Sequence, residues 1–471
     1  MKSNYKSYIS PFSLRYASEK ISYLFSPYHR ALLFRKLWTA LAKAEKDLGL
    51  NITEKQIQEL EQNIENIDFS LIEEYEKKFK HDVMAHIHAF GDLCPNAKSI
   101  IHLGATSCYV TDNADLIIIK ESLALLKEKL LKIIQIFYRF TSKFSDLQCI
   151  SFTHLQPAQM TTVGKRFCLY LQDFLDDYSQ IEDIYEKLPF LGAKGATGTQ
   201  NSFMILFNND ENKVKKLDQQ IADFFNFKTL IPIASQTYSR KIDLNICNIL
   251  ESFASTCYKF ANDIRLLSSK KTICEGFDKE NQVGSSAMPH KKNPIFSERT
   301  CALARHLITL SQNASHTYAT QWLERSLDDS ANRRITLSEV FLTADSLASL
   351  VYRITSSLFV NEEMIQKEID ENLPYILLEN ILMACSLKGL DRQKIHEKLK
   401  KISHNSIKNI MEIIANDNEI PLNIKDIEEL SSPSLLSGRA SSQVKCFLEK
   451  SIKPILDIAN NLGASIEEPK Y

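Results

Sequence analysis

Between residues 295 and 373 the chain carries neither glycine nor proline, and a second stretch, residues 105–156, is equally free of both. Tight turns between strands lean on those two residues: glycine reaches positive φ without strain, and proline fixes φ and removes a donor. Stretches this long without them exclude a sheet protein of frequent turns and predict long helices. Residues 112–140 make the prediction specific, because Ile119, Leu123, Leu126, Leu130, Ile133 and Phe137 recur at spacings of three and four, as one buried helical stripe does. Such a helix would extend ~40 Å at 1.5 Å per residue. Leu116, Ile117, Ile118, Leu125, Leu131 and Ile134 widen the stripe past one face, so a single partner helix cannot cover it. The expectation is an all-α protein built on a long helical bundle that extends across subunits.

Charge narrows the class of partner. Lysine plus arginine number 57 against 58 aspartates and glutamates, a net charge of −1. No global field favours nucleic acid or an anionic membrane, so any anion site is a local cluster. The first residues, MKSNYKSYISPFSLRY, lack the apolar core of a secretory signal, and no uninterrupted apolar stretch reaches the ~18 residues a membrane span needs. A cytoplasmic protein is expected. Ten scattered cysteines without a CxxC pair read as buried thiols, not as a disulfide frame or a zinc site.

Glycine marks sites here: of 12 glycines, Gly91, Gly104, Gly164, Gly192, Gly195, Gly198 and Gly284 lie in or beside six polar segments and one loop. In HDVMAHIH (81–88) the histidines sit at i, i+5 and i+7, which does not match the i, i+4 spacing of a helical zinc pair. His86 and His88 are expected to pack within a helix, whereas His81, followed by Asp82, suits a polar site. In IHLGATSCYVTDNAD (101–115), Thr106 and Ser107 precede the long helix, and hydroxyls with free amides at a helix start make an anion site. Capping by Thr111, Asp112 or Asn113 is the alternative. FTHLQPAQ (152–159) places His154 ahead of a proline, and GAKGATGT (192–199) is a basic glycine loop lacking the P-loop ending GK[ST]. SQTYSRK (235–241) contains Gln236, and in ERSLDDSANRR (324–334) Arg325, Ser330 and Arg334 offer two forked donors and a hydroxyl suited to phosphate or carboxylate. The loop GSSAMPHKKNP (284–294) combines Gly284, two hydroxyls, two lysines and two prolines, as a catalytic lid would: Ser285 is a nucleophile or a base, and Lys291 an anion holder or a perturber of a nearby acid.

That loop fits the pattern GSSxMPxKxNP at every fixed position and so resembles the fumarase/aspartase superfamily of β-eliminating lyases. With RYAS at Arg15, KHDVMAH, HLGATSCYVTDN, FTHLQPAQ, SQTYSRK and ERSLDDSANRR in this order, nearly the whole chain resembles the adenylosuccinate lyase branch, close to its animal-type form. The resemblance implies an all-α, three-domain subunit: an N-terminal helical domain (1–106), a central long-helix bundle domain (107–360) holding the 284–294 loop, and a C-terminal helical domain (361–471). It implies a homotetramer with sites shared between subunits, small-molecule nucleotide substrates, and no metal or cofactor. The implied reaction releases fumarate from adenylosuccinate, leaving AMP, and from SAICAR, leaving AICAR.

By the same resemblance, Ser285 is the base, His154 the acid, and Glu298 the partner that favours protonated His154. Lys291 would help stabilise the serine alkoxide when the loop closes. Thr106, Ser107, Gln236, Lys291 and Asn293 would meet the succinyl carboxylates. Arg15, Tyr16, Arg325, Ser330 and Arg334 would hold the phosphate and neighbouring polar groups, assisted by His81 and Arg299, with Asp82 beside them. The rivals are a fumarase or argininosuccinate lyase, whose substrates carry no phosphate, and a non-catalytic helical oligomer, which would be expected to lack Ser285 or His154.

Overall fold

The computed structural model describes residues 6–276, 287–405 and 409–459; Gly284 and Ser285 lie outside the described residues. Helices α1 (Pro27–Asp47), α2 (Phe69–Phe79) and α3 (Asp82–Leu93) come first. Each starts on a side-chain cap, Ser26, Asp68 and His81 respectively, which accepts from amides that have no partner inside the helix. Helix α4 (Ser107–Lys143) then runs for 37 residues, about 55 Å at 1.5 Å per residue. It begins before Thr111, Asp112 and Asn113, so those candidate caps sit inside the helix, and Thr106 at the cap position makes no side-chain cap bond.

The antiparallel strands β1 (Gln148–Thr153) and β2 (Gln156–Thr162) link α4 to α5 (Val163–Lys187). Then come α6 (Glu211–Phe224), α7 (Lys241–Ser269), α8 (Ile295–Ala319) and α9 (Asp328–Ser357). The long helices close a ring: α4 packs on α5, α5 on α7, α7 on α8, α8 on α9, and α9 back on α4. This arrangement is why the α4 stripe is wide. Ile119, Leu123, Leu126, Leu130, Ile133 and Phe137 are all buried, and so are Leu116, Ile117, Ile118, Leu131 and Ile134 on the flanking faces. Phe137 meets Phe174 and Phe260 at centroid separations of 5.3 Å, so α4, α5 and α7 share an aromatic centre.

The stretch free of glycine and proline is helical but broken. Helix α8 stops at Ala319 and α9 starts at Asp328, with Leu323 between them at φ 46°. Asp328 and Asp329 in the first turn of α9 favour a helix start there by facing its positive end. Over 18 residues α9 is apolar enough to cross a membrane by length and composition, but most of that window is buried inside the bundle, as a core helix would be.

Helix α10 (Glu362–Leu387) contains Pro374 within its run. Ile365, Ile369 and Ile376 belong to the main core, whereas Leu377, Ile381, Leu382 and Cys385 belong to a second core. The second core adds Ile395 and Leu399 of α11 (Arg392–Asn405) and continues to Ile427. The chain then returns through α12 (Ala440–Phe447), and Val444, Leu448 and Ile452 rejoin the main core. The segment from Ser431 onward, which reads as surface structure, therefore has a buried face with a spacing of four residues.

Candidate active site

The first turns of α3, α4 and α9 open onto one cavity of about 510 Å³, lined by His81, Asp82, Ser107, Gln236, Arg325, Ser330 and Arg334 among others. Three helix N-termini facing one space bring their positive dipole ends to it, a field that favours an anion. His81 holds its place by accepting from the Met84 amide through Nδ1 (3.3 Å). Asp82 spans the rim, with one oxygen 3.2 Å from Arg334 and the other 3.5 Å from His86. His86 meets the Phe34 ring edge-on at 5.3 Å, and His88 stacks on Phe79 at 4.5 Å, so both pack as expected.

Beneath the rim lies a buried lattice of opposite charges. Arg240 reaches Asp329 (2.6 Å) and Asp112 (2.9 Å), while Arg333 reaches Asp243 (2.7 Å) and Asp115 (3.1 Å). Tyr238 donates to Asp243 (2.7 Å) and accepts from Arg333. Burial opposes the charge on Arg240, but Asp112, Tyr238 and Asp243 together outweigh it and keep the guanidinium pKa above its ordinary value. Burial likewise raises the Asp115 carboxyl, and Arg30 and Arg333 overcome that and hold it below the usual range. Arg325 is tied to the lattice through Asp329 (2.8 Å). Arg240, Arg333, Asp115 and Asp329 were not singled out in the sequence, and Asp112 only as a candidate helix cap. The one readable signal was Asp329 and Arg333 at i, i+4, a spacing that shares a helix face.

The remaining candidates lie elsewhere in the chain. Arg15 and Tyr16 sit in the turn Phe12–Tyr16, where the Arg299 guanidinium lies 5.6 Å from the Tyr16 ring centroid. That turn is anchored by Ser18, whose amide and hydroxyl donate to buried Asp345 (2.8 and 3.0 Å), itself paired with Lys129. Lys291 and Glu298 are exposed and Asn293 is half-buried, close to the start of α8. Glu275 fixes that start by accepting from the Phe296 and Ser297 amides (3.0 and 2.9 Å). His154 is exposed at the tip of the β1–β2 hairpin. His154 and Leu155 both have positive φ, 53° and 59°, as a two-residue primed turn demands. No hydrogen bond joins Glu298 to His154 among the described residues, so within one chain the implied pair is apart. Lys194 of the glycine loop is buried and bound to Asp218 (2.6 Å), which removes it as an exposed anion holder.

Comparison with known proteins follows the same division of the chain. The Lyase family matches residues 8–308, and the Adenylosuccinate lyase C-terminus matches residues 374–447, spanning the second core. The adenylosuccinate lyase of Saccharomyces cerevisiae is 42% identical over 96% of both chains. Those of Schizosaccharomyces pombe and Schistosoma mansoni are each 41% identical, again over 96% of both chains. Among solved structures, the 3-carboxy-cis,cis-muconate lactonizing enzyme of Pseudomonas putida superimposes with a TM-score of 0.82 at 19% identity, covering 96% of this chain and 99% of that one. A fumarate lyase from Mesorhizobium sp. BNC1 gives a TM-score of 0.81 at 19% identity over 94% and 100% of the two chains. At that identity the likeness is one of fold, whereas the full-length identity to the fungal and fluke proteins reaches the sequence itself: this chain belongs to the adenylosuccinate lyase family.

Proposed function

We infer that the protein is an adenylosuccinate lyase, which cleaves a C–N bond without water, releasing fumarate from adenylosuccinate and leaving AMP. The observation that carries this reading is the cavity where Arg325, Ser330 and Arg334 meet three helix N-termini, in a chain 42% identical to the yeast adenylosuccinate lyase. A β-elimination needs a base for a weakly acidic proton beside a carboxylate, donors for the dianion that forms, and an acid for the departing nitrogen. The cavity offers donors: Ser107, Gln236 and the first amides of α4 suit carboxylates, and Arg325 and Arg334 suit a phosphate. Ser285 is the base in this reading and His154 the acid, with Glu298 favouring protonated His154 and Lys291 stabilising the alkoxide. Thr106, Asn293, Arg15, Tyr16, Arg299, His81 and Asp82 complete the contacts with the nucleotide. Every role is filled by side chains of this protein.

SAICAR shares the succinyl-amine and the ribose phosphate, so the same site serves it as a second substrate. The exposed position of His154, outside the cavity lining, supports a site completed by another copy of the chain. Leu155, Trp322, Leu323 and Leu327 are exposed apolar residues at 64%, 69%, 90% and 75%, which supports burial in a homotetramer. A cytoplasmic location fits such an enzyme. The test is an ultraviolet assay of the purified protein with adenylosuccinate, following AMP and fumarate, with Ser285→Ala as the control. Turnover that disappears in the control is expected; a folded protein inert toward adenylosuccinate would overturn the reading.

A further inference from the structure

The loop of residues 192–200 turns its lysine inward to an ion pair, and side chains of two helices hold it. Asp218 on α6 is buried and accepts three donors from it: the Ala193 amide (2.7 Å), Lys194 Nζ (2.6 Å) and Gln200 Nε2 (3.1 Å). From the other side Asn113 on α4 accepts from the Gly192 amide (3.1 Å) and donates to the Gly192 carbonyl (3.0 Å). The loop's far end presses against the segment that carries Gln236: a Cβ on Gly198, at φ +83°, would lie 1.9 Å from the Ala234 carbonyl oxygen. A clamp of this kind fixes the Ala196 carbonyl, and Gln236 Nε2 donates to it (2.9 Å).

A carbonyl oxygen only accepts, so the nitrogen of the Gln236 amide must face Ala196. Its oxygen faces the Cys108 thiol, which donates to it (3.2 Å). Burial, with Asp112 adding to it, pushes the Cys108 thiol up to about 12, so it keeps its proton and remains a donor. Both ends of the amide are thereby fixed, and the second N–H of Nε2 is the group left for an acceptor in the cavity.

We propose that Asp218 and Cys108 are positioning residues that lock the Gln236 amide as a hydrogen-bond donor toward a substrate carboxylate, Asp218 acting through the 192–200 loop. The proposal rests on the lyase reading above, and it gives the loop's hydrogen bonds to Asn113 and Asp218 a purpose: its carbonyl at Ala196 sets the direction in which the site donates.

The test is a thermodynamic cycle on the full-length protein. Gln236→Ala should raise KM for adenylosuccinate roughly ten-fold, the size of one hydrogen bond to a charged group. Asp218→Asn and Cys108→Ala should each raise KM by roughly three-fold or more, with kcat changed less than about two-fold, and Cys108→Ser, which keeps a donor, should recover most of the loss. In a Gln236→Ala background, Asp218→Asn and Cys108→Ala should add no further rise, since their partner is gone. Effects that multiply in that background, or single variants with unchanged KM, would overturn the positioning role. An unchanged KM in Gln236→Ala alone would overturn the substrate role of Gln236 and the proposal with it, while a protein inert toward adenylosuccinate before any substitution would trace the failure to the lyase reading instead.

Discussion

The floor of the cavity and the tip of the β1–β2 hairpin are opposites. Beneath the cavity, Arg240 and Arg333 are almost completely buried and find their carboxylates within the same chain, across sequence separations as large as the 218 residues between Asp115 and Arg333. At the tip, His154 and Leu155 stand in solvent on a backbone conformation that side chains other than glycine or asparagine rarely adopt. One region pairs its charges within a single chain; the other stands exposed on a left-handed turn. A strained, exposed residue held by a rigid hairpin is costly to keep unless something meets it.

The comparison breaks most sharply at the tip. Replacing His154 by alanine should lower kcat on the order of 10²–10⁴-fold, the usual worth of a general acid, while leaving the unfolding midpoint unchanged because the side chain is exposed. If another copy completes the site, His154→Ala chains reassembled with Ser285→Ala chains should regain activity, because some mixed sites then hold both native groups. Mixtures as inactive as either parent would place both groups in one chain's site.

At the floor the outcome should be reversed, with folding affected first. Arg240→Met strands Asp112 without its cation, leaves Asp329 to Arg325 alone, and should cost about 3–5 kcal/mol in denaturant unfolding, the typical loss when a buried pair is broken on one side. A loss below about 1 kcal/mol would mean that water reaches the lattice and that the floor is no more self-contained than the tip.

A graded effect sharpens what burial without a partner does. Glu45 on α1 is fully buried, neither of its oxygens has a hydrogen-bond partner in the described structure, and burial pushes its carboxyl up to about 9 from 4.5. Its folded pKa lies above the unfolded one, so the neutral acid's contribution is fully present below pH 4.5 and is lost as pH rises through 9. Over that window Glu45→Gln should gain on the parent by at most about 1.4 kcal/mol per pH unit, read as diverging denaturation midpoints at successive pH values. Parallel midpoints would show that Glu45 ionises freely.

The sequence made the bundle legible because period and stripe width depend on residues a few positions apart. Ile119 to Phe137 could be read as one helix, and the flanking Leu116 to Ile118 as evidence of several partners. The hairpin was hidden, since its turn uses His154 and Leu155 where the usual signal is Asn-Gly. The breaks at residues 320–327 and 358–361 were hidden too, having neither glycine nor proline to announce them. Motifs drew attention to residues of ERSLDDSANRR and HDVMAHIH that line the cavity, but not to the pairing of Arg240 with Asp112, which arises only when distant helices pack. Lys194 shows the same limit: a lysine in a glycine loop is written identically whether it faces solvent or Asp218.

The return of the chain from its second core has a consequence in time. Val444, Leu448 and Ile452 seal the main bundle, although the rest of that bundle was complete in sequence by Ile376. A ribosome delivering roughly 5–20 residues each second therefore releases a bundle with an open seam, while the small C-terminal unit is still being made. The bundle can close only after Ile452 has been made. A chain cut short just before Ile452 would lose part of the main core together with everything beyond the cut.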